Sequence, residues 1–417
     1  MKATDIEIMS PVGSYESLMA AIQGGANSVY FGIEKLNMRA RSSNNFTLED
    51  LKKISEICKE NNIRSYITLN TIIYDDEISL MKSIVDAAKA NNITAIIASD
   101  MSVINYANSI NMEIHISTQC NVSNIEAVKY YSKFSDVIVT ARELSLKQVA
   151  AITSAIEKEK ITGPSGKLVQ IEIFAHGALC MAVSGKCYLS LNNYNYSANR
   201  GACIQPCRRK YIVTDKESGV QLEIDNEHIM SPKDLKTIDF IDKILKTGVR
   251  VLKIEGRGRS PEYVKTVTQC YRQAVDAYFN GTYNKENLEI WNKKLKTVYN
   301  RGFWDGYYQG RKIGEWAESY GSQATKKKIY IGKITNYFTK LKVAEIKIET
   351  GTLSVGDEIH IIGSTTGVYE DVVKEIRLDL KNVDSCKKGD SCSIPVKSFL
   401  RRSDKLYKIV DVEDVDF

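Results

Sequence analysis

Four of the nine cysteines stand close together in the chain: six residues separate Cys180 from Cys187, fifteen separate Cys187 from Cys203, and three separate Cys203 from Cys207. Gly177, Gly185, Gly201 and Pro206 interrupt regular structure around them. Glycine lets backbone turn tightly enough for several side chains to converge, and four thiolates are the donor set of a soft metal centre. Iron-sulfur and zinc both use that set. Structural zinc commonly sits between two short Cys-x-x-Cys hairpins, which gaps of six and three residues fit poorly, and an iron-sulfur cluster tolerates less regular spacing. A single activated thiolate is the competing use: His176, four residues before Cys180, could share a helical face with it and form the nucleophile pair of a peptidase. It could equally be a packed histidine at a strand end. The scattered Cys58, Cys120, Cys270, Cys386 and Cys392 read as small buried hydrophobes.

Charge around the four cysteines is one-sided. Between Glu172 and Asp215 there is no acidic residue, while Lys186, Arg200, Arg208, Arg209 and Lys210 are basic, with Tyr188, Tyr194, Tyr196 and Tyr211 among them. Such a stretch suits an anionic small molecule or a nucleic acid, or it only offsets the charge of the thiolates. The whole chain, at net +6 over 417 residues, permits RNA binding without arguing for it. An odd cysteine count argues against a disulfide framework. The N-terminus passes directly into a strand-like run and no apolar stretch approaches membrane-spanning length, so a cytoplasmic protein with no membrane partner is expected. Thr162 to Lys167 resembles a phosphate loop but precedes a strand where such a loop must follow one, and no dinucleotide, zinc-protease or serine-elbow motif is present.

The elements that must position these residues alternate short β-branched runs with amphipathic stretches. Eight strands are predicted: Ile6 to Met9, Ser28 to Phe31, Ser65 to Leu69, Ala95 to Ala98, Glu113 to Ser117, Val137 to Thr140, Val169 to Phe174, and Val251 to Ile254. Eight βα units predict an α/β fold, a closed (β/α)8 TIM-like barrel with a cysteine-rich insertion between the seventh and eighth strands. Residues just past the strand ends are then candidates for one pocket: Ser10, Asn70, Asp100, Gln119, Arg142, Glu143, His176, Glu255 and Arg257. Ser260 and Pro261 open a helix to about Asn280, Lys285 to Tyr299 form another, and an aromatic, glycine-rich run, Asn300 to Gly310, either packs on the barrel or forms a stacking platform. From Ser322 the pattern becomes all-β, with runs at Ile329 to Ile334, Lys342 to Ile348, Glu358 to Ile362 and Tyr369 to Ile376. The expected domains are a barrel over 1–310, a linker over 311–321 and a C-terminal β-barrel over 322–417 that resembles the second domain of translation elongation factors.

The run from Glu172 to Ser190, E-I-F-A-H-G-A-L-C-M-A-V-S-G-K-C-Y-L-S, and N-R-G-A-C-I-Q-P-C-R-R-K-Y after it, resemble the signature of peptidase family U32. Similar blocks are S-P-V-G-S near the start, S-T-Q-C-N-V-S-N at Ser117, R-E-L-S-L at Arg142, S-P-K-D-L at Ser231 and K-I-E-G-R at Lys253. Despite the family name, the resemblance implies oxygen-independent hydroxylases that carry a 4Fe-4S cluster on four cysteines and use prephenate, acting on tRNA wobble uridine, a ribosomal RNA cytidine or ubiquinone precursors. The cluster cysteines then fall on Cys180, Cys187, Cys203 and Cys207, and the length is most similar to the branch that makes 5-hydroxyuridine in tRNA. Cys120, where the family often has alanine, and Val12, where it has alanine, are departures.

The reading is therefore a tRNA hydroxylase, with peptidase chemistry at Cys180 and His176, hydroxylation of another RNA or a small aromatic, and non-catalytic RNA binding as alternatives. Zinc remains the alternative metal. His176 and Glu255 are candidate proton carriers, and Arg200, Arg208, Arg209 and Arg257 candidate holders of the anionic co-substrate or RNA phosphate. Lys326, Lys327 and Lys328, with Arg401 and Arg402, are expected to dock tRNA unless the C-terminal domain only buttresses the barrel or joins two copies. A paralogous partner subunit or a homo-oligomer is compatible with all of these readings.

Overall fold

Parallel strands covered on both faces read as continuous apolar runs, and the buried residues follow that pattern. The computed structural model describes residues 2–41, 45–209, 212–219, 221–222, 230–310, 315–317 and 321–414. Its first seven strands are β1 (Glu7–Pro11), β2 (Ser28–Gly32), β3 (Arg64–Leu69), β4 (Ala95–Ala98), β5 (Glu113–Ile116), β6 (Val137–Val139) and β7 (Gln170–Gly177). The helices α1 (Tyr15–Gln23), α2 (Asp50–Glu60), α3 (Ile78–Ala90), α4 (Met101–Ser109), α5 (Ile125–Tyr131) and α6 (Leu146–Glu159) follow the first six strands in turn. Local chemistry starts them: the Ser145 hydroxyl oxygen accepts a hydrogen bond from Gln148 N while Gln148 Oε1 accepts one from Ser145 N, closing a capping box on α6.

Beyond β7 the chain makes its long excursion, with α7 (Leu189–Tyr194) and a ribbon of β8 (Val213–Thr214) and β9 (Gln221–Leu222), and returns as β10 (Asp234–Lys236), α8 (Ile241–Lys246) and β11 (Val251–Ile254). β11 pairs in parallel with β1 on one side and β7 on the other, closing a ring of eight parallel strands. All eight predicted strands are present, with ends shifted by a few residues at most. Sequence reasoning missed β10, which lies antiparallel against the last residues of β7 and carries β12 (Phe303–Trp304) on its other edge, so the end of the insertion is sewn to the barrel wall. α9 (Pro261–Phe279) and α10 (Lys285–Thr297) stand where expected. The aromatic run is packed: Trp304 and Tyr308 are buried, and the Tyr308 hydroxyl donates to the Phe174 carbonyl at 2.8 Å.

The barrel interior combines an apolar layer with a buried polar chain. Met9, Tyr30, Tyr66, Ile97, Val137 and Val251 meet inside the ring. Among them the Lys253 ammonium lies 2.8 Å from Glu172, and both side chains are almost wholly buried. Glu7 accepts from the Ser28 and Tyr66 hydroxyls and pairs with Arg64 nearer the other mouth.

The last part of the described chain is antiparallel: β13 (Lys326–Phe338), β14 (Val343–Ile348), β15 (Thr352–Ser354), β16 (Glu358–Gly363), β17 (Gly367–Val372), β18 (Ile376–Leu378), β19 (Lys381–Val383), β20 (Ser385–Lys387), β21 (Ser391–Pro395) and β22 (Lys405–Asp411). Eight of these form one sheet, β15 and β20 a separate ribbon, and together they enclose an apolar core of their own. The predicted run Tyr369 to Ile376 is two strands. Val373 leaves the ladder to exchange backbone hydrogen bonds with Asp357 and Gly356, ending β17 before β18 begins. The expected linker falls largely outside the described residues, and its described part, 315–317, bonds back to Ser231 and Lys233. The sheet docks on α1 and α9 through buried Ile362 and Val368. There the Gln23 amide donates to Thr366 O at 2.8 Å and accepts from Val368 N at 3.0 Å. Gly367 sits against that amide at φ +65°, where a Cβ would approach Gln23 Oε1 to 2.6 Å.

Removing one partner of a buried ion pair leaves the other charge uncompensated, which costs about 3–5 kcal/mol. Lys253→Met is accordingly expected to destabilise the barrel by about that amount in denaturant unfolding. Adding Glu172→Gln should restore most of it; equal stability of wild type and single variant would deny the pair its role.

Candidate active site at the C-terminal rim of the barrel

The C-terminal ends of the barrel strands and the returning insertion enclose a cavity of about 380 Å³. Cys180, Cys187, Cys203 and Cys207 all line it, as do Asn70, Gln119, Arg142, Glu255 and Arg257 from the expected strand-end group. Ser10, Asp100, Glu143 and His176 do not. Ser10 bonds Thr268 on α9 at 2.7 Å, and Asp100 caps α4 through Ser102 N at 2.9 Å.

All four cysteines are free thiols. Burial pushes Cys207 up to about 11; Arg208 opposes the shift, while Cys180, Cys203 and Cys187 add to it. Burial raises Cys187 in the same way. Four soft donors thus share one cavity and feel one another's charge, which is the donor chemistry of a thiolate-held cluster. Among the described residues no three His, Cys, Asp or Glu side chains are already drawn into a metal-binding group, so the thiols fit such a centre by type and common cavity.

Arg39, Arg142, Arg208, Lys253, Arg257, Arg259 and Arg301 face the cavity against one carboxylate, Glu255. Burial alone would raise Glu255, yet Arg39, Arg259 and Arg142 bring it down to about 2, with Arg39 Nη2 at 3.0 Å. It is a fixed anion at neutral pH, so it anchors arginines and has no proton to give. Arg257 is buried; its Nη1 donates to Asn37 Oδ1 at 3.0 Å and Thr68 Oγ1 at 2.8 Å, and burial, then Arg39, pull it down to about 10. Gly32 makes room for it, since a Cβ there would stand 2.6 Å from Arg257 Nη1. Arg142 lies flat on the Phe174 ring, 3.7 Å from its centroid, donates to Ala178 O and leaves Nε without a partner.

The other predicted arginines are placed differently. Arg200 lies outside the cavity, clasping Glu77 through both Nη atoms and stacking 3.7 Å over Tyr74. Arg209 also lies outside, bonded to the Tyr194 hydroxyl. Arg208 reaches the cavity, but its fork is spent on Leu179 O at 2.7 Å, Pro232 O at 2.7 Å and Ser231 Oγ at 3.0 Å. It tethers the start of the insertion to its end, fixing Cys207 beside Cys180.

His176 is corrected as a peptidase base and as a cavity residue. It is 1% exposed in a box of Tyr263, Tyr271 and Phe303, with Nδ1 3.3 Å from the Tyr271 hydroxyl, whose proton goes to Ala175 O. Burial, with Lys236 and Arg259 nearby, lowers it to about 3, so it stays neutral, and Cys180 lies exposed on the cavity side. Sequence reasoning missed Arg39, Arg259 and Arg301. The repeat of Arg257 and Arg259 two residues apart past a strand was a usable signal, whereas nothing local marks Arg39. Arg301 pairs with buried Asp234 at 3.2 Å, and Arg259 lies 3.6 Å over Tyr299.

Two outcomes follow. Arg208→Lys keeps the charge and loses the fork, so Cys207 should react with a thiol reagent several-fold faster while the melting temperature changes little; an unchanged rate would deny the tether. Glu255 titrates near 2 when folded against an ordinary 4.5, so its contribution is full above 4.5 and fades as pH falls towards 2. Wild type should therefore lose stability across that window more steeply than Glu255→Gln in acid-unfolding measurements.

Comparison with known proteins agrees with this arrangement. The family model "Peptidase family U32" matches residues 13–318. A protein named collagenase from Porphyromonas gingivalis is 60% identical over 98% of this chain and 99% of its own. The tRNA hydroxylation protein P1 of Bacillus subtilis is 32% identical over 86% of this chain and 83% of its own. A 23S rRNA 5-hydroxycytidine synthase of Escherichia coli is 30% identical over 94% of this chain and 53% of its own. With the signature cysteines gathered at the mouth of a (β/α)8 barrel and the match spanning that barrel, the chain belongs to peptidase family U32.

Proposed function

We propose that this chain is an oxygen-independent RNA hydroxylase that makes 5-hydroxyuridine at a tRNA wobble position, using a 4Fe-4S cluster on Cys180, Cys187, Cys203 and Cys207 and prephenate as co-substrate. The observation that carries the reading is the cavity itself, where four thiols share the space with seven cations and a single carboxylate. Relatives named for tRNA hydroxylation and for a hydroxycytidine synthase support RNA as the substrate class. When bound, the cluster supplies a soft, electron-accepting iron centre beside the substrate. Arg257 and Arg142, which no carboxylate pairs with among the described residues, are the groups for the carboxylates of the co-substrate. Glu255 orients Arg39 at the rim, and Tyr30, Ile97 and Phe174 form a floor that keeps water from entering below. No helix among the described residues is long and apolar enough to cross a membrane, and the reading places the protein in the cytoplasm with its RNA.

Peptidase chemistry is the second reading, favoured by the name of the Porphyromonas gingivalis relative. It would need Cys180 paired with a base, and His176 is turned into its aromatic box instead. Cys203 and Cys207 separate the two: a peptidase tolerates their loss, and the hydroxylase does not.

Anaerobically purified protein should be brown with about four irons per chain, and Cys203→Ser should lose most of that absorbance. Nucleoside analysis of tRNA from a deletion strain should lack 5-hydroxyuridine, restored by wild type and not by Cys203→Ser. Colourless protein with stoichiometric zinc and unchanged nucleosides would overturn the reading.

A further inference from the structure

The C-terminal sheet carries a second cleft, of about 610 Å³, whose walls include Asn336, Tyr337, Glu345, Phe399, Arg401 and Arg402. Its shape comes from two irregularities. The β13–β14 ladder shifts register between Ile334 and Asn336, a bulge that re-aims the side chains beyond it. After β21 the chain leaves the sheet and crosses to β22 in a loop pinned from inside: Leu400 is buried, Arg401 N donates to Asp404 Oδ2 at 2.8 Å, and Ser403 N to Ile334 O at 2.8 Å. Pinning the backbone leaves its neighbours facing out. Phe399 is 50% exposed, its ring meets Tyr337 edge-on at 4.9 Å, and the Arg401 guanidinium lies 4.4 Å over it.

Two of the domain's three arginines stand at the same place. Lys326 and Lys328, at the entrance to the domain, are paired with Glu358 and Glu262, Lys333 with Glu349, and Lys397 with Asp371. Of the domain's three arginines, Arg377 is paired with Glu375, while Arg401 and Arg402 are exposed with no carboxylate partner among the described residues. Two guanidinium groups outside any ion pair among the described residues, one of them acting on Asp404 through space, therefore coincide with a half-exposed aromatic pair. Glu345 spends Oε2 on the Thr335 hydroxyl at 2.7 Å and, beside Asn336, supplies hydrogen-bonding groups at the base-edge position of the cleft.

We propose that this cleft binds an unpaired nucleotide of the RNA substrate. The base stacks on Phe399 and Tyr337, Arg401 and Arg402 meet the flanking phosphates, and Asn336 with Glu345 hydrogen-bonds the base edge. Aromatic stacking accepts any base, and guanidinium contacts hold phosphate without reading sequence, so the cleft grips RNA while the barrel rim selects the reacting base. The docking of the sheet on α1 and α9 through Gln23, Ile362 and Val368 sets the two points a fixed distance apart. The inference rests on the RNA-hydroxylase reading and adds to it where the RNA is held.

The test is fluorescence anisotropy of the full chain with a tRNA transcript and with a short single-stranded oligoribonucleotide, at two salt concentrations. Phe399→Ala should weaken both by roughly tenfold with the salt dependence unchanged. Arg401→Ala with Arg402→Ala should weaken them and reduce the slope of log affinity against log salt by about 1 to 2. All these residues but Tyr337 and Glu345 are exposed, and an unchanged thermal melt confirms the fold. Wild-type binding that the variants retain, with the same slope, overturns the cleft and leaves the hydroxylase reading standing. An absence of RNA binding by wild type overturns both. Loss of binding to an acidic peptide with RNA binding intact assigns the cleft to a protein partner and overturns the proposal.

Discussion

Gathering Arg39, Arg142, Arg257 and Arg259 around one cavity is eased by a carboxylate, Glu255, that stays ionised among them. Like charges in a partly dry space repel strongly, and each guanidinium taken from water needs hydrogen-bonding partners. Glu255 answers the first requirement through Arg39, and backbone or side-chain oxygens answer the second for Arg257 and Arg142. Glu255, Glu172 and Asp234 pair with Arg39, Lys253 and Arg301, and Arg142, Arg208, Arg257 and Arg259 are left as a positive excess at the cavity. The four thiols in the same space are the protein's own further source of negative charge when deprotonated.

At the base of the cavity the barrel repeats the same physics with a buried ion pair. Lys253, which reaches the cavity from below, is paired with Glu172 in the interior, while the rim above carries the unpaired guanidinium groups. The insertion that brings the cysteines to this rim has little apolar core of its own. It is held by polar tethers: β10 against β7, and the Arg208 fork between Leu179 and Pro232. An arginine that sequence reasoning assigned to substrate is thereby a strut between the residue before Cys180 and the return of the insertion.

The C-terminal sheet is joined to the barrel by packing and by the exchange of two hydrogen bonds with Gln23, beside which position 367 takes a positive φ that favours glycine. Its entrance lysines, which look free along the chain, are matched by carboxylates from α9 and β16. Arg401 and Arg402, which form no ion pair among the described residues, lie instead beside Phe399, brought together by a bulge and a pinned loop.

Local pattern was enough for the scaffold. Periods of β-branched and amphipathic residues located all eight barrel strands, the Ser145 cap and the long excursion after β7, because each depends on residues adjacent in the chain. The clustered cysteines were legible for the same reason, as spacing and glycine content carry the signal. Tertiary structure alone decided which charges face the cavity. Arg39 and Glu255 are 216 residues apart, Arg200 is claimed by Glu77 and Lys328 by Glu262, and no local rule ranks such partners. His176 shows the limit most plainly: its position past a strand core suggested a rim residue, but the pleat of β7 turned it outward among Tyr263, Tyr271 and Phe303, where burial keeps it neutral. Sequence determined which groups were present and on which elements; the closing of the ring determined which of them could meet, because ion pairing acts through space while pattern acts along the chain.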